Sequence, residues 1–116
     1  MSTREIGNSG ERNAVSFLQH QGFVILERNY VSNHGEVDVV AKDGDDLVFV
    51  EVKFRHGIRF GPPEEAVTPA KQELIRRTAE GYVQEKKLND IPCRFDVVAI
   101  TAEKGMKKFV HYKNAF

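Results

Sequence analysis

The chain has 116 residues, 41% of them hydrophobic and 29% charged, a size and composition that fit one folded domain over 1–116 and exclude both a multidomain machine and a disordered chain. Its 17 basic and 17 acidic residues cancel to a formal net charge of zero, so no global field draws it onto nucleic acid or an anionic membrane, and any such binding must come from a local patch. Cys93 stands alone without a disulfide partner, and the opening residues carry neither the apolar stretch of an export signal nor an arginine-rich targeting helix. A cytoplasmic protein with no membrane partner is therefore expected.

Ala14, Phe17, Leu18 and Gln21 recur at three- and four-residue steps, predicting a helix from about Gly7 to Gln21 with Gly22 as its stop. Three β-rich segments follow: FVILERNY from Phe23, GEVDVVA from Gly35 and LVFVEVKFR from Leu47. The short, turn-rich link from Lys42 to Asp46 requires the last two to form an antiparallel hairpin. Gly57, Gly61, Pro62 and Pro63 break the stretch from His56 to Val67 into a surface loop. Thr68 before Pro69 reads as an N-cap, and Leu74, Ile75, Thr78, Ala79, Tyr82 and Val83 keep a helical stripe to about Leu88. RFDVVAI from Arg94 and KFVHY from Lys108 read as two more strands. A helix between the third and fourth strands is long enough for a crossover, which makes those strands parallel neighbours.

The hairpin carries the most informative pattern. A turn centred on Gly44 and Asp45 sets Asp38 opposite Glu51 and Glu36 opposite Lys53. Val37, Val39 and Ala41 then face Val52, Val50 and Val48 on the other side of the sheet, giving one apolar and one ionised face. Opposed carboxylates repel, so the pair requires a cation or a shared proton, and Val40 and Phe49 on the same face make the site partly buried. A hard divalent cation such as Mg²⁺ or Mn²⁺ suits Asp38 and Glu51, with the Val52 carbonyl as a further oxygen. Lys53 would position a water or stabilise negative charge on a phosphate. The competing reading is a structural network in which Lys53 pairs Glu36 and Glu51. Glu11 shares the stripe of Ala14 and Leu18; it either reaches the metal site or serves as a helix N-terminal acid.

Basic residues gather after the hairpin at Lys53, Arg55, His56 and Arg59, then at Lys71, Arg76 and Arg77, with Phe54 and Phe60 interleaved. They make a candidate phosphate-binding edge, to which Lys71 and Gln72 at the helix start are best placed to contribute. Arg76 and Arg77 fit a solvated helix face equally well. The four histidines lack zinc spacing, no nucleophile triad is present, and no glycine-rich nucleotide loop occurs.

Gly10-Glu11, GEVDVVAKDG from Gly35, LVFVEVKFR from Leu47, RFGPPEEAVTPAKQ from Arg59, PCRFDVVAI from Pro92 and the terminal NAF together resemble the YraN family of small bacterial proteins, over nearly the whole chain. The resemblance implies the PD-(D/E)XK nuclease superfamily and similarity to archaeal Holliday-junction resolvases. It implies an α/β fold, a restriction-endonuclease-like mixed central sheet flanked by helices in the order α-β-β-β-α-β-β. Asp38, Glu51 and Lys53 would be the catalytic signature and Glu11 the accessory helix acid, with Gln72 and Lys71 as polar helix residues near the site. Val31 to His34 and the N-terminal STREIGN depart from the glycine- and arginine-rich forms common in the family. The expected activity is Mg²⁺- or Mn²⁺-dependent hydrolysis of DNA phosphodiester bonds, branched or structured DNA included. Arg55, Arg59, Lys71 and Gln72 would contact the nucleic acid, and a homodimer is expected by analogy with the resolvases. Two rivals stand beside this: a nucleic-acid-binding module that keeps the core without turnover, and an adaptor using the loop from His56 to Val67.

Overall fold

The computed structural model describes residues 3–56 and 67–116, apart from the side chains of residues 3–11, 55, 56 and 103. Helix α1 (Thr3–His20) is followed by β1 (Val24–Ser32), β2 (Gly35–Asp43), β3 (Asp46–His56), α2 (Pro69–Glu85), β4 (Cys93–Glu103) and β5 (Met106–Tyr112). The order α-β-β-β-α-β-β is the expected one. Helix α1 begins four residues ahead of the expected Gly7, and α2 stops three residues short of Leu88. The five strands lie side by side in chain order. Every neighbouring pair is antiparallel except β3 and β4, which run parallel and flank α2 in sequence.

Local chemistry sets the ends of the helices. Gly22, at φ +93°, lets the chain turn left-handed, so the Phe23 N–H reaches the Leu18 carbonyl at 3.0 Å and the Gly22 N–H reaches that of Gln19 at 3.0 Å. Two orphan carbonyls are thereby satisfied while Phe23 and Leu18 enter the same core. At α2 the Thr68 hydroxyl accepts the Lys71 N–H at 3.2 Å and Pro69 occupies the first turn, where its missing N–H is harmless. Lys87 adopts φ +54° just beyond the helix, which ends the α-helical run before Leu88. The β2–β3 connection turns on Gly44 at φ +60°, the conformation that a tight hairpin demands of its first central residue.

A helix covers each face of the sheet. Ala14, Leu18 and Phe23 pack on Val39, Ala41, Val48, Val50, Val98 and Ile100 on the α1 side. Ile75, Ala79 and Tyr82 pack on Val37, Val40, Leu47, Phe49 and Val97 on the α2 side. Leu74, which the stripe assigned to the core, is 44% exposed. Both faces are thus apolar, correcting the expectation of one greasy and one ionised face. Truncation to alanine at fully buried positions such as Leu18 or Phe49 would cost about 2–5 kcal/mol.

The sheet splits between β2 and β3. Their register runs Asp43↔Asp46, Ala41↔Val48 and Val39↔Val50, as the turn arithmetic requires. It goes no further. Past that point β2 stays with β1 to Ser32↔Gly35, while β3 stays with β4 to His56↔Ala102. The expected pairs Asp38–Glu51, Val37–Val52 and Glu36–Lys53 are not part of the ladder; Val37 instead joins the α2-side core, and Val52 packs on the α1 side. The physical reason lies at the fork, where the Asp38 Oδ2 accepts the Val52 N–H at 2.8 Å and a side chain replaces main-chain pairing.

Candidate functional site

Asp38 stands on β2 at this fork, and Glu51 on β3 directly follows Val50, the last paired residue. The two carboxyl groups approach closely enough to share a proton. Burial first, then the hydrogen bond and charge of Glu51, push Asp38 up from 3.8 to about 8, against the opposing pull of the Val52 N–H and the Lys71 ammonium. Glu51 is 7% exposed, and its Oε2 is buried without a hydrogen-bond partner. The Lys71 Nζ lies 3.7 Å from that oxygen, near enough for Coulombic attraction and too far for a hydrogen bond. A buried carboxylate oxygen left this way is costly unless a cation arrives.

Fold explains the convergence. Helix α2 begins at Pro69, so its first turn brings Lys71 over Glu51 in the middle of β3. Gln72, expected to point toward substrate, gives its Nε2 to the Val67 carbonyl at 3.0 Å and so fastens the helix start to the incoming chain. Lys53 is half-buried and makes no ion pair among the described residues, so the structural network with Glu36 and Glu51 is absent; Glu36 is exposed. Val52 supplies its N–H to Asp38. The structure therefore brings together Asp38, Glu51, Val52 and Lys71, with Lys53 two residues along β3. Glu11 and Arg55 lie on α1 and β3, but their side chains fall outside the described residues, as does the whole of Arg59. Among the described residues no group of three or more His, Cys, Asp or Glu side chains is placed to hold a metal ion. Among the described residues the acidic site consists of Asp38 and Glu51. Arg76 is exposed, as a solvated helix face requires, and its guanidinium lies over the rings of Phe95 and Phe116, at 4.9 and 5.6 Å.

Sequence reasoning missed a second buried acid. Asp96 on β4 is fully buried, and its Oδ1 accepts from Arg94 Nε at 2.9 Å and from the Asn114 N–H at 2.9 Å. Its Oδ2 lies 3.0 Å from an Arg94 NH2 donor and 2.8 Å from His111 Nε2. Arg94 also bridges to Asp43 at 3.0 Å and Asp46 at 3.2 Å across the β2–β3 turn. Burial pushes Asp96 up, but the hydrogen bonds from His111, Arg94 and the Asn114 N–H outweigh it and hold the carboxyl below its usual range. Arg94 and Asp96 are two apart on one strand and share a face. That spacing was the available signal.

The architecture defines an α/β domain with a five-stranded mixed sheet and a helix on each face, in the order α-β-β-β-α-β-β. Residues 10–100 match the family described as "Uncharacterised protein family UPF0102". The chain is 50% identical over 100 residues to a UPF0102 protein of Caldicellulosiruptor saccharolyticus, covering 86% of this chain and 85% of the relative. It is 46% identical over 107 residues to one of Dictyoglomus thermophilum, covering 92% and 91% of the two chains. A third, from Geobacter metallireducens, is 40% identical over 116 residues, covering 100% of this chain and 95% of its own. The chain belongs to the UPF0102 family, also called the YraN family. No helix among the described residues is long and apolar enough to cross a membrane.

Proposed function

We propose that the protein is a divalent-cation-dependent endonuclease that hydrolyses DNA phosphodiester bonds. The observation that carries this reading is the buried, unpartnered Glu51 Oε2 beside an Asp38 carboxyl that its neighbour keeps from ionising. Lys71 at 3.7 Å offers this oxygen charge but no hydrogen bond, which leaves its lone pairs open to a ligand. Two hard carboxylates meet the oxygen preference of Mg²⁺ or Mn²⁺, which keeps several waters and needs only one or two protein carboxylates. Asp38 and Glu51 would hold the ion, with the Val52 carbonyl as a further ligand.

When bound, the ion would supply Lewis-acid stabilisation of a phosphate oxygen and lower the pKa of a bound water. The remaining work falls to the chain. Asp38 fixes the main chain at Val52 by its 2.8 Å hydrogen bond and so holds Glu51 and Lys53 in place. Lys53, free of ion pairs among the described residues, would put its ammonium against charge building on the phosphate. Lys71 would exchange part of its attraction to Glu51 for a substrate phosphate as the site fills. Glu11 would orient the site from α1, with Arg55, Arg59 and Gln72 in reach of the nucleic acid. A junction substrate, cut on two strands, would engage two copies of the chain.

Incubating labelled linear and four-way-junction DNA with Mg²⁺ or Mn²⁺ should give cleavage that falls at least about a hundredfold in Glu51→Ala and Lys53→Ala. Equal cleavage by wild type and both variants would identify a contaminating nuclease and end the proposal. The zero net charge favours one rival, a binding module without turnover, since tight phosphate binding normally leaves a basic footprint. Metal-independent, salt-sensitive binding with no cleavage of either DNA would select it.

A further inference from the structure

The β4–β5 hairpin bears Lys104 in its turn and Lys107 and Lys108 at the start of β5, all exposed, around a Met106 that is 75% exposed. With Thr101 these residues frame a surface cleft of about 490 Å³. None of the three lysines makes an ion pair within the described residues. In a chain of zero net charge, they form a local concentration of one sign.

Register ties this hairpin to the carboxylate site. Glu51 pairs Val97 and Val97 pairs Tyr112; two residues on, Lys53 pairs Ala99 and Ala99 pairs Val110; two further, position 55 pairs Thr101 and Thr101 pairs Lys108. Side chains alternate along each strand, so Lys108 shares the α2-side face with Glu51 and Lys53, while Lys107 leaves the other side of this edge strand and still lines the same cleft as Lys104 and Lys108. Two strand spacings across and four residues along put Lys108 about 16 Å from Glu51, main chain to main chain. Phosphates on one DNA strand recur about every 3.4 Å along the helix axis, so this separation spans a few nucleotides. The hairpin and the acids therefore lie within one short stretch of backbone.

We propose that the β4–β5 hairpin docks the DNA backbone, its three lysines holding phosphates a few nucleotides from the bond presented to Asp38 and Glu51. This rests on the reading of the acids as a nuclease site. DNA is favoured over an anionic membrane because an interfacial anchor needs a broad apolar face. Here Met106 is the lone large apolar side chain on the exposed turn, and Phe109 and Val110 are half-buried.

The test is fluorescence anisotropy of a fluorescein-labelled DNA duplex with the full chain in Ca²⁺, over a range of salt concentrations. Changing Lys104, Lys107 and Lys108 together to Ala should weaken binding about tenfold or more and shrink the salt slope by about 2 to 3, one increment per lost phosphate contact. The same three changed to Gln should behave alike, which guards against a folding defect in the first variant. The charge-matched control Lys42→Ala, Lys86→Ala and Lys87→Ala should bind as wild type does. Unchanged affinity in both hairpin variants, or no duplex binding by wild type, would overturn the docking proposal. So would hairpin-dependent binding to phosphatidylserine vesicles with DNA binding intact. The nuclease reading fails separately: hairpin-dependent binding by wild type, without cleavage of either the duplex or a four-way junction in Mg²⁺, would overturn that reading and leave the docking surface standing.

Discussion

Two buried acids on one sheet have opposite surroundings. Asp96, on the α1 side, is matched by Arg94, His111 and a main-chain N–H, and its carboxyl is held below the usual range. Asp38, on the α2 side, meets a second carboxylate, and its carboxyl is pushed up to about 8. The first is a complete ion network that joins β4 to the β2–β3 turn and the C-terminal segment. The second is incomplete, with one buried oxygen unpartnered and a lysine too distant to hydrogen-bond. A folded chain has little reason to keep like charges together for stability alone. The contrast separates a satisfied ionic staple from the site proposed to take a cation.

Breaking the staple should have the largest effect. Asp96→Ala leaves the Arg94 Nε, the His111 Nε2 and the Asn114 N–H without their shared buried acceptor while Arg94 keeps Asp43 and Asp46, and should lower the free energy of unfolding by about 3–5 kcal/mol in urea titrations. At the other acid the sign should reverse. Asp38→Asn keeps an acceptor for the Val52 N–H and a donor toward Glu51 without the proton uptake that folding demands of the buried carboxyl. In chelator-treated protein it should raise stability by roughly 2 kcal/mol.

The pH profiles sharpen the comparison. Asp38 has a folded-state value near 8 against 3.8 when unfolded, so the folded state binds the extra proton. Cation-free stability should decline as pH rises between these values, and this slope should flatten in Asp38→Asn. Asp96 has the reverse linkage. Its folded value is lowered, so its contribution is present above 3.8 and is lost as pH falls below that. Acid unfolding of Asp96→Asn should therefore be shallower than that of wild type. The smallest effect belongs to Lys71, whose side chain is 39% exposed; Lys71→Met should cost about 0.5 kcal/mol, read as a small shift in urea midpoint.

Much of this arrangement was legible in the sequence, for identifiable reasons. Gly22, Gly44 and the Thr68-Pro69 pair mark turns and caps through constraints local to the chain, and the β2–β3 register follows from the turn and the valine alternation. The fork was not legible. It arises because the Asp38 side chain captures the Val52 N–H, which periodicity cannot anticipate. Lys71 was assigned to phosphate, but its nearness to Glu51 depends on how α2 lies on the sheet. Gln72 looked like a substrate contact because residue type does not reveal that Val67 presents a carbonyl to it. The Asp96 network joins residues from β2, β3, β4 and the C-terminal segment, and only the Arg94–Asp96 part of it is local.

Calorimetric titration of chelator-treated protein with Mn²⁺ at about pH 7, in buffers of different ionisation enthalpy, examines the carboxylate pair most directly. One ion should bind per chain with release of about one proton, because Asp38 is protonated before the ion displaces its hydrogen. Asp38→Asn and Glu51→Gln should each abolish that signal. Absence of binding by wild type, or equal binding and proton release by both variants, would refute the assignment of these acids to a cation.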